Sequence, residues 1–224
     1  MLEVGEHRYI IDMGTDVTTD LIDRGLTPEC ISAIFVTHMH GDHYAGLAPF
    51  LYTCNWKYLT ADFALYLPCD LEQFRAAIEA WNGLRDGGKS TRPFDYHRMG
   101  EGVIYDDGTL MVTAYRTKHC GESYALLFEA EGKRILYTGD LSSKYGPEYD
   151  FPRAAITEPL DLLICEGAHF EGTRYLPILE ESENVKRIYV THFMEKRIGS
   201  IYQLKAALPE CEITLAKDGM EAWV

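Results

Sequence analysis

Seven consecutive residues, Thr37-His38-Met39-His40-Gly41-Asp42-His43, carry four side chains that bind divalent cations through nitrogen or oxygen. In an extended segment, residues two apart project to the same side. His38 and His40 can therefore grip one ion. Gly41 permits a sharp turn, which would swing Asp42 and His43 round to a second ion. Imidazole together with carboxylate suits zinc, with manganese or iron as alternatives. A lone histidine is as a rule a packed or solvated residue. Four ligand-type side chains within six positions, placed behind an apolar run, are poorly explained that way. Such ions lower the pKa of bound water, and the chemistry implied is hydrolysis.

The apolar run is Ile31-Ser32-Ala33-Ile34-Phe35-Val36-Thr37, which reads as a buried strand, and residues 44–51 read as a helix. The cluster thus sits on a loop at a strand's end. Four more polar residues follow predicted strands. His119 follows residues 112–118, Asp140 follows 135–139, His192 follows 188–191, and Asp12 follows Tyr9-Ile10-Ile11. Active sites of sheet proteins assemble from the same end of several strands, although a single aspartate after a strand is by default a turn residue or cap.

The remaining pattern is a mixture of hairpins and strand–helix units, hence α/β with sheets covered by helices. Residues 9–14 read as a strand ending at a glycine turn. Leu71, Phe74, Ile78 and Trp81 are spaced as one face of an amphipathic helix with Asp70 as its N-cap, and Trp56 and Trp81 read as core. Residues 83–102 read as a loop with one short strand. Strands are predicted at 110–116, 123–130 and 134–138, with Glu131-Gly132-Lys133 as a hairpin turn. Further strands are predicted at 162–165, 187–190 and 211–216, and a helix at 200–208.

The 224 residues suit a single domain over 1–224 with a sizeable core. No stretch approaches the length of an apolar membrane span, and the first ten residues lack a basic start followed by an apolar core. These features predict a cytoplasmic protein with no membrane partner. Six scattered cysteines without a Cys-x-x-Cys pair read as free, mostly buried thiols. The net charge is −14, from 21 Lys and Arg against 35 Asp and Glu. Such a surface repels phosphate backbones and argues against extended nucleic acid as a partner. A small phosphorylated substrate remains compatible, because bound metal makes a pocket locally positive.

The set Asp12, His38-x-His40-x-Asp42-His43, His119, Asp140 and His192 resembles the metallo-β-lactamase superfamily, in the family's order and over nearly the whole chain. The resemblance implies an αββα sandwich, two facing mixed β-sheets with helices outside. It implies that His38, His40 and His119 hold one metal, that Asp42, His43 and His192 hold another, and that Asp140 bridges them. Asp12 would support the cluster from behind. Two divalent ions, zinc by preference, would share a hydroxide, and no serine or cysteine nucleophile is needed. Redox di-iron members typically carry Glu where this chain has His40, which favours hydrolysis. Tyr124-Ala125-Leu126-Leu127-Phe128, Gly132 to Asp140, and Asp161-Leu162-Leu163-Ile164-Cys165-Glu166 resemble the ribonuclease Z-like and small phosphodiesterase branch.

Three departures accompany the resemblance. Cys165 stands where ribonuclease Z has the histidine of a His-Glu pair, a residue thought to aid protonation of the leaving group. Glu166 is retained, and His169 is the candidate to take over. Asp42, Glu166 and His169 are therefore the candidate catalytic side chains. The long basic arm that grips tRNA has no counterpart beyond Arg85-Asp86-Gly87-Gly88-Lys89-Ser90-Thr91-Arg92-Pro93, which reads as a solvated loop. The chain starts at Leu2-Glu3-Val4, too late for the family's N-terminal strand, so that strand is expected to be shortened or missing, with an exposed sheet edge. The resemblance also suggests a homodimer. The leading reading is a dinuclear hydrolase of a small phosphodiester, such as a cyclic nucleotide or cyclic phosphate. Hydrolysis of a lactone, thioester, β-lactam or other ester or amide, ribonuclease Z-like RNA processing, and a non-catalytic metal-binding relative stay open.

Overall fold

Residues 1–83 and 92–224 are described in the computed structural model of the chain, and they divide into two compact units, Met1–Met99 and Gly100–Val224. In the first unit, β1 (Leu2–Val4), β2 (His7–Ile11), β3 (Ile31–Phe35), β4 (Ala64–Leu67) and β5 (Asp95–Arg98) form one sheet in that order. β1 pairs antiparallel with β2, and the other neighbours are parallel. Parallel strands need crossover connections, and these contain α1 (Thr18–Asp23), α2 (Gly41–Tyr44), α3 (Leu47–Trp56) and α4 (Leu71–Gly83). Ile10, Ile34 and Leu65 pack with Leu47, Phe50, Cys54, Phe74 and Ile78 in one apolar core. Because β2 and β3 run the same way, Asp12 and His38 leave the sheet at the same edge.

The second unit has a sheet in the order β12-β11-β10-β9-β8-β7-β6. The strands are β6 (Gly102–Asp106), β7 (Met111–Arg116), β8 (Tyr124–Ala130), β9 (Lys133–Tyr137), β10 (Leu162–Gly167), β11 (Arg187–Phe193) and β12 (Glu212–Leu215). β6 to β9 pair antiparallel, and β9 to β12 pair parallel. β7 is antiparallel to β8, which is antiparallel to β9, so β7 runs with β9, β10 and β11. His119, Asp140, Glu166 and His192 therefore all lie at one edge. The helices are α5 (Pro147–Asp150), α6 (Leu176–Glu180) and α7 (Ile198–Ala207). Ile178, Ile201 and Leu204 pack onto Leu136, Leu163, Ile188 and Ile213.

Several expectations need adjusting. Leu2–Val4 does form a strand, a three-residue edge on β2. The helix expected over 44–51 is two helices, α2 and α3. Between them the Gly46 N–H bonds to the Met13 carbonyl at 2.9 Å, outside either helix, and a Cβ on Gly46 would overlap the Thr15 backbone. Gly41 makes no left-handed turn; it opens α2. Trp56 and Trp81 are 57% and 53% exposed and belong to no core. In α4, Phe74 and Ile78 are buried as expected, but Asn82 rather than Trp81 completes the face. At 100° per residue, position 82 lies nearer the azimuth of 71, 74 and 78 than 81 does. The Asp70 carboxylate does cap the helix, accepting from Gln73 N–H at 2.9 Å. The predicted hairpin turn is present, with Glu131 and Gly132 both at positive φ. Most of the basic stretch from Arg85 lies outside the described residues. All six cysteines are free, with Cys54 and Cys165 buried and the other four partly so. Among the described residues no helix is long and apolar enough to cross a membrane.

The difference between Ile78 and Trp81 is measurable. Ile78→Ala is expected to lower the unfolding free energy by about 2–5 kcal/mol, while Trp81→Lys changes it by less than about 0.5 kcal/mol. Urea titration of both variants checks this, and a larger loss at Trp81 would contradict the observed helix phase.

Candidate metal centre

At the end of β2 the chain turns at Asp12, whose φ is +55. Its backbone N–H bonds to the Phe35 carbonyl at 2.8 Å, the last ladder bond before the sheet opens. The carboxylate then accepts from Thr37 N–H at 2.7 Å, from the Thr37 hydroxyl at 2.9 Å, and from His43 Nδ1 at 2.7 Å. Thr37 Oγ1 also lies 3.2 Å from His38 Nδ1. Since the hydroxyl donates to the carboxylate, it accepts from His38 Nδ1–H. One aspartate thus fixes both rings, directly and through Thr37, and each is left in the tautomer with its Nε2 lone pair available. His38 and His43 are buried, with ring centroids 4.1 Å apart; His40 is exposed, 4.6 Å from His38. Asp42 is exposed, with a carboxylate oxygen 3.9 Å from His43 Nε2. Gly14 is required by close approach, since a Cβ there would overlap the Asp42 carbonyl. The Met13 N–H bonds to the His43 carbonyl at 2.7 Å alongside it.

In the second unit Asp140 is buried beside three imidazoles. Its carboxylate lies 2.9 Å from His192 Nδ1, 3.6 Å from His119 Nε2 and 3.8 Å from His169 Nδ1. His119 Nδ1–H donates to the Leu141 carbonyl at 3.2 Å, which turns Nε2 towards Asp140. His192 has φ +45, and the β10–β11 register slips beside it, from Glu166 opposite Thr191 to Gly167 opposite Phe193. It is the extra residue of a bulge, a device that re-aims a side chain at a sheet's rim.

Glu166 is almost wholly buried. One oxygen accepts from Leu141 N–H at 2.7 Å. The other accepts from the N–H groups of Ala168 and His169 at 3.0 and 2.9 Å and from His169 Nδ1 at 2.9 Å. Asp140, Glu166 and His169 have donor atoms within 4.8 Å of one another, a spacing that would suit an ion. Glu166 also accepts from four hydrogen-bond donors, which tie the Asp140 loop and the His169 ring to it. His169 is partly exposed, with its centroid 4.6 Å from His119 and 5.6 Å from His192. His97 lies apart, paired with Asp95 at 2.8 Å and stacked on Tyr66. His7 bonds Ser32 at the sheet edge.

Two supports were not foreseen. Thr37 directly precedes His38, so its position was a usable signal. Asp150 was not signalled at all: its oxygens accept from the N–H groups of Lys118 at 2.5 Å and Ser142 at 2.6 Å. Burial raises its pKa, outweighing those two bonds and the nearby Lys118 charge. Burial likewise raises the thiol of Cys120, whose Sγ meets the Glu122 carbonyl. The Cys165 thiol is pushed up to about 12 by burial.

The family model described as anti-Pycsar protein Apyc1 matches residues 1–157. The chain belongs to this family. The matched residues belong partly to each unit. Ribonuclease BN of Escherichia coli O1:K1 is 28% identical over 175 residues, 76% of this chain and 54% of that protein. Ribonuclease BN of Cronobacter sakazakii is 31% identical over 125 residues, 56% of this chain and 40% of that protein. The Apyc1-family chain therefore spans about half the length of these curated relatives or less. Among solved structures, the metallo-β-lactamase fold protein YhfI from Bacillus subtilis superposes with a TM-score of 0.75 at 18% identity, covering 97% of this chain and 88% of that one. Human tRNase Z, short form, gives 0.67 at 21% identity, covering 98% and 89%. The fold of this Apyc1-family chain is the metallo-β-lactamase fold, as the ligand pattern implied.

Because Cys165 is buried with a thiol pKa near 12, it stays protonated and shielded in the native protein at ordinary pH. Iodoacetamide at pH 8 followed by peptide mapping is expected to label partly exposed cysteines such as Cys30 and leave Cys165 unmodified. Labelling of Cys165 at a rate similar to Cys30 would contradict this.

Proposed function

We propose that this chain is a metal-dependent hydrolase of small phosphodiesters, such as cyclic nucleotides or cyclic phosphates. The observation that carries the reading is the state of the imidazoles. His38, His43 and His119 each have Nδ1 held by a hydroxyl, carboxylate or carbonyl, which leaves Nε2 as the donor nitrogen. Protein metal sites hold their histidines in this way. His38, His40, Asp42, His43, His119, Asp140 and His192 are the ligands we assign to two divalent cations, zinc by preference. The donor set of nitrogens and carboxylate oxygens fits zinc and equally admits manganese or iron. Ions bound there would supply a water of lowered pKa and stabilise charge developing on the phosphoryl oxygens. We take residues 1–224 to work as a single domain, a reading supported by the fold likeness over 97% of the chain.

The chain's own residues do the rest. Asp12 and Thr37 orient His38 and His43, and Leu141 orients His119. Glu166 holds His169 by Nδ1, and a protonated ring is the acid that this reading requires. In that form Nε2–H can donate a proton to the leaving oxygen, the part a histidine at position 165 would otherwise play. The ribonuclease BN relatives favour a second reading, RNA processing. The small substrate is preferred because net charge is −14 and because Arg92, the described arginine of the short basic stretch, is tied to its own unit. Its guanidinium bonds the Leu59 and Ala61 carbonyls and stacks over Phe94.

After reconstitution with zinc or manganese, the protein is expected to hold about two ions per chain. It should hydrolyse bis(nitrophenyl) phosphate and cyclic nucleotides, and lose both activities on chelation. Fewer than about one ion per chain would remove the metal site. Turnover confined to lactones or thioesters would overturn the substrate class, and turnover confined to structured RNA would select the second reading.

The proton donor has its own test. His169→Ala should lower kcat by about 10²–10⁴ on alkyl phosphodiesters, whose leaving groups need a proton, and far less on nitrophenyl esters. Equal losses on both would assign His169 a structural part.

A further inference from the structure

We propose that Asp150 is a positioning residue that fixes the loop of His119 against the loop of Asp140 and so tunes metal affinity. The inference rests on the ligand assignment above and concerns a residue to which that assignment gives no role.

Asp150 is the last residue of α5 and is 5% exposed. Its two oxygens reach different loops. One accepts the N–H of Lys118, which precedes His119, at 2.5 Å, and the other accepts the N–H of Ser142, two residues after Asp140, at 2.6 Å. A rigid carboxylate bonded to both fixes their separation to within the play of two charge-assisted hydrogen bonds. The Asp140 loop is then held at three successive points: Leu141 N–H on Glu166, the Leu141 carbonyl on His119 Nδ1, and Ser142 N–H on Asp150. No other described contact gives Asp150 a different task, and it belongs to none of the described groups of ligand-type side chains that could hold an ion.

The support is itself anchored. Arg174 grips Glu148 of α5 through two bonds, at 2.8 and 2.7 Å, and bonds the Tyr145 carbonyl. Gly146, at φ +70, lets the chain pass beneath that guanidinium, where a Cβ would overlap it. Phe151, the next residue, is buried in the core edge-to-face with Tyr175. Lys118 adds a bond from Nζ to the Tyr149 carbonyl. α5 is thus a short wedge fastened on both sides of Asp150, which suits holding two loops at a set spacing.

Asp150→Asn is the near-isosteric test. Its amide can accept from one of the two loops but presents N–H to the other, so one loop is released. In full-length protein, competition between zinc and a chromophoric chelator is expected to show affinity at least about tenfold weaker. The metal-free variant should still melt in one cooperative transition, with kcat reduced, KM little changed and kcat partly recovered at excess zinc. A folded variant with wild-type zinc affinity would overturn the proposal. If the variant does not fold, hydrogen exchange on the metal-free wild type decides. The Lys118 and Ser142 amides should be protected, and exchange at free-loop rates would show that no clamp exists. A wild type that binds no zinc would instead sink the proposed function, while the exchange result would still report on the clamp.

Discussion

A carboxylate removed from water has to be surrounded by hydrogen-bond donors, and three such groups shape the loops that carry the candidate ligands. Asp12 draws in Thr37 and His43. Glu166 draws in Leu141, Ala168 and His169. Asp150 draws in Lys118 and Ser142. Most of these donors are backbone N–H groups, and a loop can bring them to one carboxylate in few conformations. The cost of burying the charge therefore becomes a constraint on loop shape. Ligands held in this manner need little reorganisation when an ion arrives, which is how a protein gains affinity without adding contacts.

The same loops carry backbone strain. Among the described residues, three that are not glycine have positive φ: Asp12, His192 and Glu131. Glu131 sits in a tight hairpin turn, where such a conformation is ordinary. The other two stand at the ends of parallel strands, one behind the histidine cluster and one within reach of Asp140. A left-handed conformation at a residue with a large side chain persists where surrounding bonds over-determine it. For Asp12 those bonds are the ladder contact to Phe35 and the three carboxylate contacts. For His192 they are the bulge against β10 and the contact to Asp140.

The candidate site was legible in the sequence wherever chemistry and periodicity coincide. His38 to His43 follow an apolar run, and Asp12, Asp140 and His192 each follow another, so residue type and strand end pointed together. Legibility failed where the partner is a distant backbone atom. Asp150 lies in Pro147-Glu148-Tyr149-Asp150-Phe151, a stretch without period or motif, and it bonds N–H groups that every residue except proline possesses. Gly14 was readable as a turn, but the Asp42 carbonyl that excludes a Cβ there was not. Side-chain hydrophobicity favours Trp81 for the core, but helical angle gives the buried place to Asn82 beside it.

Strand alternation also accounts for the displacement of the candidate proton donor. Along β10, Leu163 and Cys165 point into the apolar core of their unit, whereas Glu166 reaches the Leu141 N–H on the loop after Asp140. A side chain at 165 on this backbone lies among Tyr175 and its neighbours, and burial there pushes even a thiol up to about 12. After Glu166 the register with β11 slips, Gly167 packs tightly against Val190 and Phe193, and the chain bends back so that Ala168 and His169 donate to the carboxylate they have just passed. That bend is what carries the His169 ring to 4.6 Å from His119. Cys165 and His169 are on this view one exchange: the core takes the strand position, and the glutamate between them carries the histidine round to the other side.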